Sequence, residues 1–162
     1  MCNQLRFMED FTRQLAYYGL TARIKRLSDT LNAEARAIYA HLGFEIQPNW
    51  HLVLLLLKDR ELPVTAIANA LGFSHAAIIK ITQSMKEKGF VTSKPDKQDA
   101  RKQMLSLTDK SKSALPLFEK EWYKIQKIVK ECSDDGFLES LAYFENAMAE
   151  KSLSERFKAY DE

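Results

Sequence analysis

Residues 64–108 read VTAIANALGFSHAAIIKITQSMKEKGFVTSKPDKQDARKQMLSLT, and the fold turns on this stretch. It opens with Val64, Ile67, Ala68 and Leu71 three and four residues apart, the single apolar stripe of a short helix. Gly72 suits the left-handed stop of that helix. Ser74 stands where an N-cap belongs, its hydroxyl free to take up a backbone N–H. A second helix, HAAIIKITQSMKEKG, closes at Gly89 with Lys86 and Lys88 in its last turn, favourable to the helix dipole. Two helices joined by a short turn with a glycine in it make a helix-turn-helix.

After Gly89 the period changes. Phe90-Val91-Thr92-Ser93-Lys94 is β-prone, and Gln103-Met104-Leu105-Ser106-Leu107-Thr108 alternates apolar with polar. The residues between, from Pro95 to Lys102, are polar or charged and carry no apolar anchor, as a hairpin tip in water does. The spacing therefore predicts a winged helix-turn-helix at residues 46–112, in a mainly α chain with a small β-hairpin wing (α+β). Charge points the same way. Between Lys80 and Lys112 stand nine Lys/Arg against four Asp/Glu, on a chain whose net charge is only +2. A positive segment on a nearly neutral protein is an electrostatic footprint for phosphate, and the expected partner is double-stranded DNA.

Within the second helix, Ala77, Ile78, Ile81, Thr82 and Met85 share one face and are expected in the core. His75, Ala76, Ile79, Lys80 and Gln83 share the other, which would meet the major groove. Gln83 can bond adenine twice, Lys80 can reach guanine or phosphate, and Ala76 or Ile79 can touch a thymine methyl. With Ser74 at the helix start and Lys97, Arg101 and Lys102 at the wing, these residues are the candidate DNA contacts. For Arg101 the minor groove is the expected target.

Upstream, residues 4–18 place Leu5, Met8, Phe11 or Thr12, Leu15 and Tyr18 at helical spacing, an amphipathic helix. A second helix from Leu20 to Leu42 has Ile24, Leu27, Leu31, Ala35, Ile38 and Leu42 as its stripe, and Gly43 stops it. Pro48 marks the next start, with Trp50 and Leu52–Leu57 read as core. Downstream, Phe118, Trp122, Ile125, Val129 and Cys132 form a heptad-like seam. Asp134-Asp135-Gly136 is a turn. A last helix carries Phe137 or Leu138, Leu141, Phe144 or Glu145, and Met148, continuing weakly to Leu153 and Phe157. A small winged core cannot cover both terminal seams, so residues 1–45 and 113–162 are expected to make a homodimer about a two-fold axis.

The rest of the composition narrows the classes. A chain of 162 residues at 46% hydrophobic can bury a core. Its longest apolar run, Leu52–Leu57, is far short of the roughly 20 residues of a membrane span. No signal-peptide pattern opens the chain, and Cys2 and Cys132 suggest no disulfide framework, so a cytoplasmic location is expected and no membrane partner. Cys2 reads as an inert thiol and Cys132 as core. His41, His51 and His75 lack metal-ligand spacing, and no paired nucleophile and base or glycine-rich phosphate loop is present. Neither metal, cofactor nor catalysis is expected.

These motifs resemble the multiple-antibiotic-resistance regulator (MarR) family of bacterial transcription factors. The resemblance is carried by Ile67-Ala68, Leu71-Gly72, Ser74 and Lys88-Gly89-Phe90-Val91, then by Asp99-x-Arg101 followed by Leu105-x-Leu107-Thr108. Arg26-Leu27-Ser28-Asp29, Ile38-Tyr39 and Leu42-Gly43-Phe44 are similar to a subgroup in which the module is sometimes fused to an acetyltransferase. The likeness spans roughly residues 20–130. It implies a homodimer with contacts from both terminal regions, a palindromic operator, usually repression, and often a small aromatic or anionic effector. Tyr39, His41, Phe44 and Trp50, clustered near two helix ends, are the candidate effector residues. The chain departs from the pattern at Ile79 and Ile81, where polar residues are common, and at Ser111, where glycine is frequent. The alternative is a winged helix that binds proteins instead of DNA; steep salt dependence of duplex binding separates the two.

Overall fold

The computed structural model describes residues 10–96, 99 and 102–160. The chain divides into two compact units, one running to Ser113 and one from Ala114. It is mainly helical, with one small antiparallel sheet.

The first unit starts with α1 (Phe11–Gln14), a 3-10 turn (Ala16–Gly19) and the long α2 (Leu20–His41). Here the sequence expectation is corrected: over the described residues, 4–18 is not one continuous helix. Ala16 sits at φ 47°, outside helical space, and breaks it. Gly19 lets the chain fold back, because a Cβ there would lie 2.1 Å from the Thr12 carbonyl oxygen. Asp10 caps α1 through Thr12 N and receives both terminal nitrogens of Arg26 of α2, at 3.2 and 2.5 Å. The expected positions Leu5 and Met8, and Cys2, lie outside the described residues.

The winged core follows: α3 (Trp50–Leu56), β1 (Leu62–Pro63), α4 (Val64–Leu71), α5 (His75–Glu87), β2 (Val91–Pro95), β3 (Gln103–Leu107) and the start of α6 (Asp109–Glu131). Trp50, Val53, Leu54 and Leu57 meet the burial expected of them, whereas Leu55 is 43% exposed. With them Ile67 and Ala68 of α4, Ile78 and Met85 of α5, and Phe90, Val91, Leu105 and Leu107 of the sheet region make one core. Each large apolar side chain so buried contributes about 1.5–3 kcal/mol. The Trp50 and Phe90 rings meet edge to face, centroids 5.5 Å apart.

The sheet has order β1-β3-β2, with Val91 opposite Leu107, Ser93 opposite Leu105, and Leu62 also opposite Leu105. The expected hairpin is present; β1 adds a third strand. Pro63, which separates two helices in the sequence, is tolerated there because β1 is an edge.

In the second unit, α6 continues, followed by α7 (Phe137–Glu150) and α8 (Leu153–Lys158). Phe118 and Trp122 stack at 5.7 Å, but the seam loses burial toward its end, and Cys132 is exposed where core was expected. The last helix is also interrupted. Ser152 and Glu155 form a capping box, Ser152 N donating to Glu155 at 2.8 Å, so a new helix begins where a weak continuation was read.

Candidate nucleic-acid interface

The second helix of the motif is placed by its ends. Gly72 takes the left-handed conformation at φ 64°, and Phe73 N–H donates to the Ala68 carbonyl at 3.0 Å, closing α4. The chain turns through 115° between α4 and α5. Ser74 then caps α5, its Oγ accepting from Ala77 N at 3.2 Å. At the far end Gly89 has φ 72° and Phe90 N donates to the Met85 carbonyl at 2.8 Å.

This framing divides α5 as its sequence divides. Ile78, Thr82 and Met85 are buried, and Ala77 and Ile81 half-buried. The Thr82 hydroxyl donates back to the Ile78 carbonyl at 2.8 Å, so burying it leaves no orphan donor. His75, Ala76, Ile79, Lys80 and Gln83 are all exposed, on one stripe. Ile79 is 47% exposed, an apolar group held in water by a helix whose other face already fills the core.

The carbonyls just past α5 are gripped from the start of α6. Thr108 donates to Gly89 O at 2.7 Å, Ser111 to Phe90 O at 2.5 Å, and Lys110 to Lys88 O at 3.1 Å. Ser111 is fully buried, so its hydroxyl does what a glycine there could not. Lys110 also bonds Glu45 at 3.1 Å and lies over the Phe90 ring at 4.4 Å. Hydrogen bonding to Lys110, then its charge and that of Lys88, hold the Glu45 carboxyl below its ordinary value of 4.5.

The local positive excess is partly committed. Lys94 pairs with Glu61 at 2.7 Å, Lys110 with Glu45, Lys102 with Asp99 at 3.8 Å and Lys112 with Asp109 at 3.9 Å. Lys80 and Lys86 make no ion pair among the described residues. At the wing, Asp99 N donates to the Asp96 carboxylate at 2.9 Å and Lys102 N to the Asp99 carbonyl at 2.8 Å. Lys97 and Arg101 lie outside the described residues. Gln83 has a partner that the sequence reasoning missed: its Nε2 donates to Glu87 at 3.1 Å. The four-residue spacing on one helix face was the available signal.

The candidate effector residues do not share one environment. Tyr39 and Trp50 are each 3% exposed, Phe44 is half-buried beside Tyr39 with centroids 6.2 Å apart, and His41 is exposed at the end of α2. The clefts on α2 lie elsewhere; the one of about 390 Å³ is lined by residues that include Arg13, Arg23 and Arg26. Among the described residues no cluster of metal-ligating side chains occurs. No single helix among them is long and apolar enough to cross a membrane.

Residues 44–102 match the MarR family, a span that takes in α3, α4, α5 and the wing. Over this segment the chain is similar to MarR-family proteins. Solved structures agree on the fold. The MepR–DNA complex of S. aureus superposes with TM-score 0.68 at 16% identity, over 81% of this chain and 96% of that one. Overoxidised AbfR bound to DNA gives 0.64 at 15% identity, over 88% and 98%. A MarR protein from Peptoclostridium difficile gives 0.64 at 22%, over 86% and 91%. No curated protein sequence matches. The likeness of fold extends beyond the matched segment, over 81 to 88% of this chain.

Proposed function

We propose that this chain is a DNA-binding transcriptional regulator of the MarR type, acting as a homodimer on a palindromic operator, with repression as its effect. The observation that carries the reading is the division of α5. One face is spent on the core through Ile78, Thr82 and Met85, while His75, Ala76, Ile79, Lys80 and Gln83 stand in solvent as a stripe of base- and phosphate-reading chemistry. The MarR-family segment and the two like-folded proteins captured on DNA, MepR and AbfR, support it. Ser74, though it caps the helix, still has its hydroxyl proton to offer a phosphate. Lys97, Arg101 and Lys102 supply wing charge, the guanidinium suiting a narrow minor groove.

In this reading residues 46–112 bind DNA and residues 1–45 and 113–162 dimerise. A small aromatic or anionic effector would approach at His41 and Phe44, since Tyr39 and Trp50 are reached only by repacking the core.

The test is duplex binding against salt. Affinity for double-stranded DNA should fall by about 10³–10⁵ between about 50 and 200 mM salt if each dimer neutralises several phosphates. Gln83→Ala should then cost about 1–3 kcal/mol on the preferred site and little on random duplex. A flat salt response would leave the winged helix as a protein-binding module.

A further inference from the structure

We propose that Glu87 is a positioning residue for base recognition: its carboxylate holds the Gln83 amide in the one orientation that reads adenine. The inference rests on α5 being the recognition helix. Glu87 ends α5 and lies four residues beyond Gln83, on the same exposed stripe as Ala76, Lys80 and Gln83.

Two considerations count against an acid at this position. A negative charge in the last turn of a helix opposes the helix dipole. On a face turned toward DNA it also repels phosphate. Glu87 nevertheless stands there between Lys86 and Lys88, and among the described residues it forms an ion pair with neither. Its partner is the Gln83 amide nitrogen, at 3.1 Å.

That bond settles the amide. A carboxylate only accepts, so the group facing Glu87 must be the Gln83 NH₂, and the carbonyl oxygen must point the other way. One amide hydrogen is used; the oxygen and the second hydrogen remain. Those are the acceptor and donor that adenine needs, the oxygen for N6–H₂ and the N–H for N7. Without Glu87 the amide turns over freely, and donor and acceptor exchange places. Glu87 thus fixes the polarity with which Gln83 meets a base, and it does so without touching DNA.

The experiment enriches bound duplexes from a random-sequence pool with the full-length protein and sequences them. It compares wild type, Gln83→Ala, Glu87→Ala, Glu87→Gln and the double alanine variant. Wild type should enrich a site with an A·T pair at one half-site position. Gln83→Ala and Glu87→Ala should each flatten that same position by roughly 5- to 150-fold, the discrimination of one bidentate pair. The double variant should be no flatter than Gln83→Ala alone. Glu87→Gln, whose amide can donate as well as accept and so holds Gln83 in either polarity, should retain only part of the preference. Affinity of Glu87→Ala for random duplex should hold or rise, since a charge that repels phosphate is gone. Undiminished preference in Glu87→Ala, loss at a different position, or losses that add to those of Gln83→Ala would overturn the proposal. Failure of wild type to enrich any sequence would instead remove the recognition-helix reading itself, and this inference with it.

Discussion

Ile78 and Ile79 are neighbours with the same side chain and opposite surroundings. Ile78 is fully buried and Ile79 is 47% exposed. Truncating Ile78 to alanine removes methylenes from a packed interior and leaves a cavity, which costs about 2–5 kcal/mol. Truncating Ile79 leaves no cavity, and alanine's better helix propensity offsets part of the lost contact, so stability should move by less than about 1 kcal/mol. Denaturant unfolding should therefore separate the two variants clearly. Duplex binding should reverse the order once both are compared in the folded state: Ile79→Ala loses preference for a thymine-bearing site and Ile78→Ala keeps it. Equal stability losses would mean that Ile79 belongs to the core. At this scale the sequence was highly legible, because a helical period sorts α5 into two faces without knowledge of its neighbours. The period offers the four-residue spacing of Gln83 and Glu87 but could not show that the two side chains pair within the exposed face. Nor could it supply the exposure of Cys132, whose seam position is apolar only if something covers it.

Among elements, the start of α6 acts as a clamp on the end of α5. Thr108, Lys110 and Ser111 take three successive carbonyls, of Gly89, Lys88 and Phe90, which a helix end would otherwise leave to water. Lys110 extends this clamp to Glu45, beyond the end of α2. Because the lysine favours the ionised carboxylate, Glu45 titrates below 4.5 in the folded protein. Its contribution to stability is complete above 4.5 and is lost as pH falls through the lower folded value. Side-chain carboxyl shifts followed by NMR should show Glu45 titrating below its ordinary range in the wild type and back within it in Lys110→Met. A midpoint unchanged by that substitution would remove Lys110 as the cause. The helices α4 and α5 and the hairpin were plain in the sequence because stops and caps are written in single residues, Gly72, Ser74 and Gly89. The third strand was hidden by its brevity, Leu62–Pro63 being too short for alternation to register. The break at Ala16 was hidden because alanine carries no signal for a positive φ. The capping box at Ser152 and Glu155 was legible, and its spacing outweighs the weak apolar continuation through Leu153.

At the scale of the whole molecule, large apolar side chains remain in solvent in both units. Ile24, Leu27 and Leu31 on α2 are 51, 52 and 47% exposed, and Phe137, Leu141 and Phe144 on α7 are 45, 39 and 44% exposed. Scattered apolar exposure is ordinary, but here it repeats at helical spacing on two helices, which is the pattern of a face that a partner covers. A second copy of the chain is the simplest partner, and it would present two α5 helices to half-sites about one helical turn apart. The second contact then becomes intramolecular and multiplies affinity by about 10²–10⁴ without new chemistry. Replacing Leu141 and Phe144 together with glutamate puts two charges into the exposed apolar stripe of α7 and leaves every residue of the winged core unchanged. Removing residues 1–18 tests the other end of the chain. Light scattering should show a dimer for the intact protein and a smaller or aggregated species for either variant. Circular dichroism of the glutamate variant should stay close to wild type, because both side chains are exposed at the surface of the single chain, at 39 and 44%. Operator affinity should fall by the same two to four orders of magnitude, while affinity for a duplex carrying one half-site should change little. An intact protein that scatters as a monomer and still grips a palindrome tightly would refute the dimeric reading, leaving the exposed stripes for a different protein.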